Sequence, residues 1–228
     1  MQPSPGLVGA FAGGRQRVRT VVARASRRWA PGPAGHPPGD YDRRLVTTLA
    51  ELEAEALGCV ACPLAAGRTK VVFSAGNPAA DLMLVGEAPG RDEDLAGEPF
   101  VGRSGQLLDR LLAEELDLDR SGCYIANVVK CRPPANRDPY PLEVATCRHF
   151  LESQVELVAP KVVVSLGNFA TRTLLDVTDG VTSLRGRSYP YGGRVLVPTF
   201  HPAYALRGGG VVVAEMRADF VRAKRFLG

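Results

Sequence analysis

The sequence predicts an α/β protein of three layers, α/β/α, in which helices cover both faces of a short, mostly parallel central sheet. Short apolar runs typical of buried strands alternate along the chain with longer segments of helical periodicity. Polar segments rich in Gly and Pro follow the expected strand ends, at 86–105, 130–141 and 198–210. Because ligands bind beyond the carboxyl ends of parallel strands, we expect the functional residues in these three segments.

The individual elements follow from the same patterns. Apolar residues at helical spacing predict a first helix over 41–57, which Gly58 ends. Ser104 is expected to cap a helix that continues to Leu116. The other predicted helices cover 142–158, 168–175 and 211–226, and the predicted strands cover 71–73, 82–85, 124–129, 162–166 and 195–197.

The first forty residues differ in composition from the rest of the chain. They contain six Arg, six Pro and seven Gly, and Asp40 is their one acidic residue. Such a segment cannot bury enough apolar surface to offset the entropy of ordering it, so we predict a disordered basic tail over 1–40 and a globular domain over 41–228. The tail is interpreted as a passive leader, a basic arm that contacts phosphates, or an organelle transit peptide.

Charge and hydropathy narrow the class of protein. The whole chain carries a net charge of +4 and the tail carries +5, so the remainder carries −1 and does not by itself indicate a nucleic-acid partner. The sequence has no apolar run of about eighteen residues, so we expect no membrane span. It also lacks the pattern of a secretory signal, which predicts a cytoplasmic protein. A chain of 228 residues suits one substantial core, and we expect a monomer.

Four of the five cysteines are spaced as metal ligands can be. Cys59 and Cys62 form a C-x2-C pair, whereas Cys131 and Cys147 are separated by fifteen residues. Zinc sites usually have two close pairs, and dispersed cysteines also suit a [4Fe–4S] cluster. A third interpretation is that the thiols are free and buried in the core. Cys123 has no spaced partner and is expected to be a free thiol.

Three longer motifs resemble those of one protein family. They are GEAPGRDEDLAGEPFVGRSGQLLDRLL (86–112), YIANVVKCRPPANRDPYPLE (124–143) and PTFHPAYALR (198–207). With the four spaced cysteines in the same order, they are similar to the type-4, iron–sulfur uracil-DNA glycosylases. The resemblance implies the uracil-DNA glycosylase-like fold, and an enzyme that hydrolyses the N-glycosidic bond of uracil in single- or double-stranded DNA and leaves an abasic site. It also implies a [4Fe–4S] cluster held by Cys59, Cys62, Cys131 and Cys147.

The resemblance further implies roles for residues of the three motifs. Asn127 would read the edge of an extruded uracil, and Phe100 would stack on the base. His201 would donate a hydrogen bond to O2 as the glycosidic bond breaks. Glu87 and Glu93 are the candidates for holding the attacking water and balancing the charge of the sugar. The residues whose backbone or side chains are expected to contact the base are Gly86, Glu87, Ala88, Phe100, Asn127 and His201.

Residues around this pocket are expected to contact the DNA. Phosphate contacts are predicted for Lys130, Arg132, Arg137 and Arg207, because such contacts supply affinity without sequence preference. Leu206 is predicted to be a wedge that fills the space left by the extruded nucleotide. The expected partner is therefore DNA that contains uracil, with replication or repair proteins as further partners and the nucleoid as the location.

Other interpretations of these residues remain. A strand-end Asn often bonds the backbone, a loop Phe often belongs to the core, a His after a strand often caps a helix, and acids in a loop are often solvated. One rival function is a uracil-DNA binder that traps its substrate covalently, but 131–138 contains neither the His nor the basic insertion expected of it. Another rival is a non-enzymatic zinc or iron–sulfur module of a larger repair or replication assembly. At Ala88 more distant uracil glycosylases have an Asp that positions water, and at Ala203 the family often has a Ser, which puts one expected phosphate contact in question.

Overall fold

The computed structural model of the protein describes residues 48–228. The predicted disordered tail over 1–40, and the start of the helix predicted over 41–57, lie outside the described residues. Within them, the helices are α1 (Leu49–Gly58), α2 (Leu64–Gly67), α3 (Arg91–Ala96), α4 (Arg103–Leu111), α5 (Pro141–Val158), α6 (Asn168–Leu175), α7 (Val181–Leu184) and α8 (Pro202–Lys224). The strands are β1 (Ala75–Gly76), β2 (Leu82–Gly86), β3 (Tyr124–Asn127), β4 (Val162–Leu166), β5 (Tyr189–Tyr191) and β6 (Arg194–Thr199).

The six strands form one sheet in the order β1-β3-β2-β4-β6-β5. The four central strands are parallel, whereas β1 and β5 at the two edges are antiparallel to their neighbours. This confirms the predicted mostly parallel sheet. The carboxyl ends of the central strands, at Gly86, Asn127, Leu166 and Thr199, therefore lie along the same edge.

Alternate residues of the central strands point to opposite faces of the sheet. Met83 and Val85 of β2 pack into a core with α1, α5 and α6. Leu82 and Leu84 of the same strand pack into a second core with α4 and α8. These strand residues are at most 1% exposed, so both faces of the sheet are covered. Two cores on one sheet give the three-layer architecture that the sequence predicts.

The strand predicted over 71–73 is wrong. This segment runs outside the sheet, where the N–H of Val72 donates to the carbonyl of Lys130 at 2.8 Å. The edge strand is instead the two-residue β1, which pairs with β3. The sequence patterns also missed β5, because it is three residues long and has Pro190 at its centre. A proline cannot donate a ladder hydrogen bond, and edge strands such as β5 are where sheets tolerate it.

The last helix, predicted over 211–226, agrees with the part of α8 that follows a break at Gly209, and the sequence patterns missed the helical turns before that break. α8 starts at Pro202, which suits a first helical position, and the imidazole Nδ1 of His201 accepts the N–H of Ala203 at 3.1 Å. The run of three glycines interrupts the helix only at Gly209, where φ is +70°. The cap of α4 also differs from the prediction, because Gly102 rather than Ser104 precedes that helix. No helix in residues 48–228 is both long enough and apolar enough to cross a membrane.

Candidate active site and cysteine cavity

Asn127, Phe100 and His201 lie close together beside the carboxyl ends of β2 and β3, where Gly86 and Asn127 are register partners, and we call this place the candidate pocket. A Cβ atom placed on Gly86 would lie 2.4 Å from Asn127 Oδ1 and 2.7 Å from Phe100 Cζ. A residue with a side chain would therefore collide with both groups. The glycine at 86 lets an amide and an aromatic ring meet at one point beside the main chain.

The side chain of Asn127 is buried without a complete set of partners. The residue is 2% exposed, and its Oδ1 has no hydrogen-bond partner in the described part of the protein. Its main-chain carbonyl, by contrast, accepts a hydrogen bond from Lys130 Nζ at 2.7 Å. A buried acceptor left unpaired costs about 1–3 kcal/mol. This amide oxygen is therefore positioned to accept a hydrogen bond from a ligand.

The rings of Phe100 and His201 form an aromatic wall of the pocket. Their centroids are 5.8 Å apart and their planes are inclined by 30°. Phe100 is 5% exposed and has a φ of +56°, which is uncommon for a residue with a side chain. Gly167, at the end of β4, provides room for the histidine, since a Cβ there would lie 2.9 Å from His201 Cβ.

The hydrogen bonding of His201 fixes its tautomer. Nδ1 accepts the N–H of Ala203, so the ring proton of the neutral imidazole is on Nε2. Burial lowers the pKa of His201 to about 4, and the positive charge of Arg207 acts in the same direction. The imidazole is therefore neutral at pH 7, and Nε2 can donate one hydrogen bond.

Glu87 lies in a cleft beside the pocket. The cleft is lined by Glu87, Asp138, Asn168, Phe169, Arg172 and Thr173. Burial raises the pKa of Glu87 to about 7, and the charge of Asp138 and a hydrogen bond with it add to this effect. Glu87 is therefore protonated in part at neutral pH. The neighbouring Ala88 packs against the core that contains α1 and α5.

The structure places Glu93 in a supporting position instead of the predicted catalytic one. One carboxylate oxygen accepts the N–H of Gly90 at 3.1 Å, and the other accepts the N–H of Gly102 at 3.3 Å. The first of these bonds belongs to a capping arrangement at the start of α3. Since both oxygens bind main-chain donors, Glu93 joins the turn after β2 to the loop that carries Phe100.

The predicted phosphate contact of Lys130 is wrong. Its side chain is 1% exposed, and Nζ donates to the carbonyl of Asn127 and, at 2.5 Å, to Gln154 Oε1. Gln154 in turn donates to the Tyr124 hydroxyl at 3.1 Å. A lysine buried in such a network cannot reach DNA from outside. It supports the strand end from which Asn127 projects.

The other predicted DNA contacts differ in their surroundings. Arg137 makes a two-pronged ion pair with Glu143, at 2.7 and 2.8 Å, and its guanidinium lies 3.6 Å from the centroid of the Tyr140 ring. The charge of Arg137 is therefore already balanced. Arg132 donates to Asn136 on the same loop. Leu206 and Arg207 are exposed on the first turns of α8, close to His201.

The four spaced cysteines line one small cavity. Cys59 and Cys62 face Cys131 and Cys147 there, among apolar side chains that include Phe150. No three side chains of His, Cys, Asp or Glu within residues 48–228 are close enough together to hold a single metal ion. The four sulfurs line one cavity with no carboxylate among its lining residues, a donor set that suits a metal–thiolate group.

Hydrogen-bond donors point at two of these thiols. Arg68 Nη1 lies 3.3 Å from Cys131 Sγ, and the main-chain N–H of Lys130 lies 3.3 Å from Cys147 Sγ. Donors of this kind stabilise sulfur that carries negative charge. Cys123 is separate from this set, because it is buried in the core on the other face of the sheet.

Two residues near the pocket were missed by the sequence patterns. Asp138 is part of the second motif, yet only the folding of that loop towards Glu87 shows that the two carboxyls meet. Arg120 lies in a turn before β3 and belongs to none of the motifs, but its guanidinium contacts the carbonyls of Pro99 and Phe100. No spacing in the sequence connects Arg120 with Phe100.

Comparisons with known proteins agree with the motifs. A family model described as the uracil DNA glycosylase superfamily matches residues 73–224. The type-4 uracil-DNA glycosylase of Thermotoga maritima is 45% identical over 172 residues, which cover 74% of this chain and 89% of that protein. That of Archaeoglobus fulgidus is 42% identical over 70% of this chain and 83% of its own length. A type-5 uracil-DNA glycosylase of Thermus thermophilus is 32% identical over 67% of this chain and 78% of its own. The chain therefore belongs to the type-4 family of the uracil-DNA glycosylase superfamily.

Proposed function

We propose that the protein removes uracil from DNA by hydrolysing the bond between the base and its deoxyribose. The observation that carries this proposal is the buried Asn127 amide, whose Oδ1 has no partner in the described structure. Uracil presents an N3–H donor and an O4 acceptor on one edge, whereas cytosine presents the opposite pattern. Asn127 Oδ1 would accept from N3 and its amide nitrogen would donate to O4. Cytosine would leave the same buried groups unpaired, so it would be rejected.

The aromatic wall provides the stacking surface for the base. An enzyme that acts on a base within a duplex must first extrude the nucleotide into a pocket. Phe100 is buried against Gly86 and faces the His201 ring, so a flat base can lie over it beside Asn127. Base–aromatic stacks contribute about 1–3 kcal/mol each. Leu206, exposed on α8, would occupy the space that the nucleotide leaves.

His201 would stabilise the leaving base. As the glycosidic bond breaks, negative charge develops on uracil, largely on O2. The neutral imidazole presents an Nε2–H donor, and its low pKa keeps it neutral over the whole physiological range. A fixed donor aimed at developing charge in a buried site typically contributes about 10²–10³ in rate. His201 does this without giving up its proton.

Glu87 would act on the sugar side of the bond. The departure of the base leaves positive charge on the deoxyribose, which an ionised carboxylate stabilises while it orients a water molecule. With its pKa near 7, Glu87 is ionised in part at neutral pH, and Asp138 adjusts this fraction. Glu93 and the turn at Gly90 hold the main chain on which Glu87 is placed.

The cysteine cavity would hold a [4Fe–4S] cluster, with Cys59, Cys62, Cys131 and Cys147 as ligands. Such a cluster supplies four metal–thiolate links and electron-transfer capacity, but the hydrolysis of a glycosidic bond has no redox step. The ligands come from the end of α1, the loop after β3 and the middle of α5. Their chain positions would tie the first helix to the loop that carries Arg132 and Arg137. The group is therefore proposed to have a structural role.

Base release is the direct test of this function. Oligonucleotides that contain uracil, hypoxanthine, xanthine or cytosine, in single- and double-stranded form, are incubated with the protein and then treated with alkali to cleave abasic sites. We expect cleavage at uracil, no cleavage at cytosine, and weakened discrimination in Asn127→Asp. Asn136→Asp, an exposed asparagine of the same motif, is the matched control. Full activity and selectivity in Asn127→Asp would show that the pocket is misplaced.

The same samples test whether the protein turns over its substrate and whether it acts as a monomer. A denaturing gel distinguishes turnover from covalent trapping, because a trap would leave a protein–DNA adduct that survives denaturant. We also propose that the protein acts as a monomer at the nucleoid alongside replication or repair proteins. Light scattering of the protein with and without DNA measures its oligomeric state. A stable dimer would contradict the proposal that it acts as a monomer.

A further inference from the structure

We infer that Arg120, a residue outside the pocket, is a positioning residue that holds the Phe100 ring in its stacking orientation. The inference rests on the proposed function of Phe100 as the platform for the base. Arg120 begins the turn Arg120–Gly122 that precedes β3. Its side chain is 25% exposed and reaches back across α4 to the loop that carries Phe100.

The backbone of Phe100 adopts a conformation that needs support. Its φ of +56° lies in the left-handed region, which aromatic residues rarely adopt because Cβ crowds the main chain. Such a conformation persists only when its surroundings determine it. The contacts of Phe100 must therefore oppose a relaxation that would turn the ring away from Gly86 and His201.

The guanidinium of Arg120 contacts two successive carbonyls of this loop. Nη1 donates to the carbonyl of Pro99 at 3.0 Å, and Nη2 makes a short hydrogen bond to the carbonyl of Phe100. On its other side, Nε donates to Asp109 Oδ1 at 2.8 Å, and Nη1 lies 3.3 Å from Glu98 Oε1. The two carboxylates thus orient the planar guanidinium, while its terminal nitrogens donate to the main-chain carbonyls.

The same carbonyl also rests against α4. A Cβ on Gly105 would lie 1.6 Å from the carbonyl oxygen of Phe100 and 3.1 Å from Arg120 Nη2, so the oxygen and the guanidinium both lie directly against the helix backbone. Gly105 leaves the room that this contact needs, and the Arg120 hydrogen bonds hold the oxygen there. The peptide that carries the ring is therefore packed on a helix and fixed by hydrogen bonds from one guanidinium.

A double-mutant cycle separates this role from a general effect on stability. Arg120→Ala, Phe100→Ala and the double variant are compared for KM and kcat on a uracil oligonucleotide, and for inhibition by free uracil. We expect Arg120→Ala to raise KM and the inhibition constant about tenfold with a smaller effect on kcat, because a stacking contact to the base is weakened. In the Phe100→Ala background the same change has no further effect, since the ring that it positions is gone.

Two further variants complete the test. Arg120→Lys can contact one carbonyl but not both, so we expect it to retain part of the affinity for uracil. It takes the place of Arg120→Ala in the cycle if Arg120→Ala does not fold. Arg217→Ala removes an arginine that pairs with Glu114 and Glu115 on the same layer but touches no residue of the pocket, and its kinetics stay unchanged. Urea unfolding of every variant reports the effect on stability.

The outcomes distinguish this inference from the function on which it rests. If Phe100→Ala leaves uracil affinity intact, the proposed stacking platform is wrong. If Phe100→Ala weakens affinity but Arg120→Ala does not, or if the two effects simply add, Phe100 is the platform and Arg120 does not position it. Only a shared, non-additive loss supports the inference.

Discussion

The base pocket and the cysteine cavity lie at the two ends of one short segment, 127–131, yet they are built in opposite ways. In the pocket, Asn127 and His201 present polar groups that the described protein leaves available for a ligand. In the cavity, the thiols of Cys131 and Cys147 already receive protein donors. The proposed roles predict this difference, because a substrate must enter and leave the pocket whereas a structural cluster would stay in the cavity.

Lys130 connects these two regions. Its main-chain N–H donates to Cys147 Sγ, and its ammonium group donates to the carbonyl of Asn127. Despite this link, changes to side chains whose polar atoms have no partner in the described protein, such as Asn127, should alter activity at nearly constant stability, whereas changes in the cavity should alter stability first and activity through it. This difference can be tested by matched variants in each region.

The largest kinetic effect is expected in the pocket, from His201→Asn. Asparagine keeps the side-chain acceptor that caps α8, but it cannot place a donor where Nε2–H lies. We expect kcat for uracil release to fall about 10²-fold while the urea midpoint stays close to that of the wild type. His149→Asn, on α5, is the control and should retain full kcat. Equal kcat for His201→Asn and the wild type would remove His201 from the mechanism.

The cavity should respond differently to Cys131→Ala. We expect this variant to lose visible absorption at roughly 400 nm and to lower the free energy of unfolding by about 2 kcal/mol or more, because a structural cluster would lose a ligand. Cys123→Ala removes a thiol that is also buried but lies on the other face of the sheet. It should keep the absorption and cost about 1 kcal/mol. Identical spectra for the two variants would contradict the assignment of the ligands.

The same comparison shows what the sequence could predict. The short apolar runs that alternate with helical segments along the chain predict the central strands well. Residues of these strands are uniformly apolar because the sheet is buried on both faces. Motif resemblance identifies Asn127, Phe100 and His201 as candidates, and the structure places the Asn127 amide and the Phe100 ring against Gly86, with the Phe100 and His201 rings 5.8 Å apart. Asn127 and His201 lie at or just after strand ends, whose positions the sheet fixes, whereas the position of Phe100 depends on the fold of a long loop.

Predictions that depended on the direction of a side chain were less successful. Lys130 follows a strand and lies near other basic residues, so the sequence predicts that it contacts a phosphate. Its side chain instead turns inward to Gln154. Glu93 lies in an acidic run, for which the sequence predicts either a solvated or a catalytic role. Its carboxylate instead accepts hydrogen bonds from the main-chain N–H groups of Gly90 and Gly102. The sequence predicts a polar segment over 198–210, and the chain does leave the helical conformation at Gly209, but helical turns already begin at Pro202. Tertiary contacts determine each of these outcomes, and local sequence does not contain them.

A smaller effect, on pH dependence, is expected from Asp138→Asn. Removing this negative charge lowers the pKa of Glu87 from about 7, although burial is the larger cause of its raised value, so the acid limb of kcat should move to lower pH. Because folding raises this pKa, the stabilisation from the Glu87 proton is fully present below about pH 4.5 and is lost as the pH rises through about 7. In Asp138→Asn the loss still begins at about pH 4.5, but it is smaller and is complete at a lower pH.

Asp92→Asn is the control for this pH measurement, since Asp92 is an exposed acid on α3. Its kcat profile should overlay that of the wild type. An unchanged acid limb in Asp138→Asn would mean that Glu87 does not limit the reaction between pH 5 and 8. The pocket would then depend on His201 and Asn127 alone for the chemistry.

The smallest effect is expected at the exposed rim of the pocket, from Arg207→Ala. Arg207 is exposed on α8, so we expect it to contact a phosphate, whereas Lys130 is 1% exposed and should not. Arg207→Ala should weaken DNA binding a few-fold at low salt and reduce the slope of log Kd against log salt by about one, without changing the preference for uracil. Arg110→Ala, in the last turn of α4, controls for the loss of a surface charge. Lys130→Met should leave the salt slope unchanged even where it lowers stability, because a buried ammonium releases no counterion from DNA. A reduced salt slope in Lys130→Met together with an unchanged slope in Arg207→Ala would mean that Lys130, and not Arg207, contacts a phosphate.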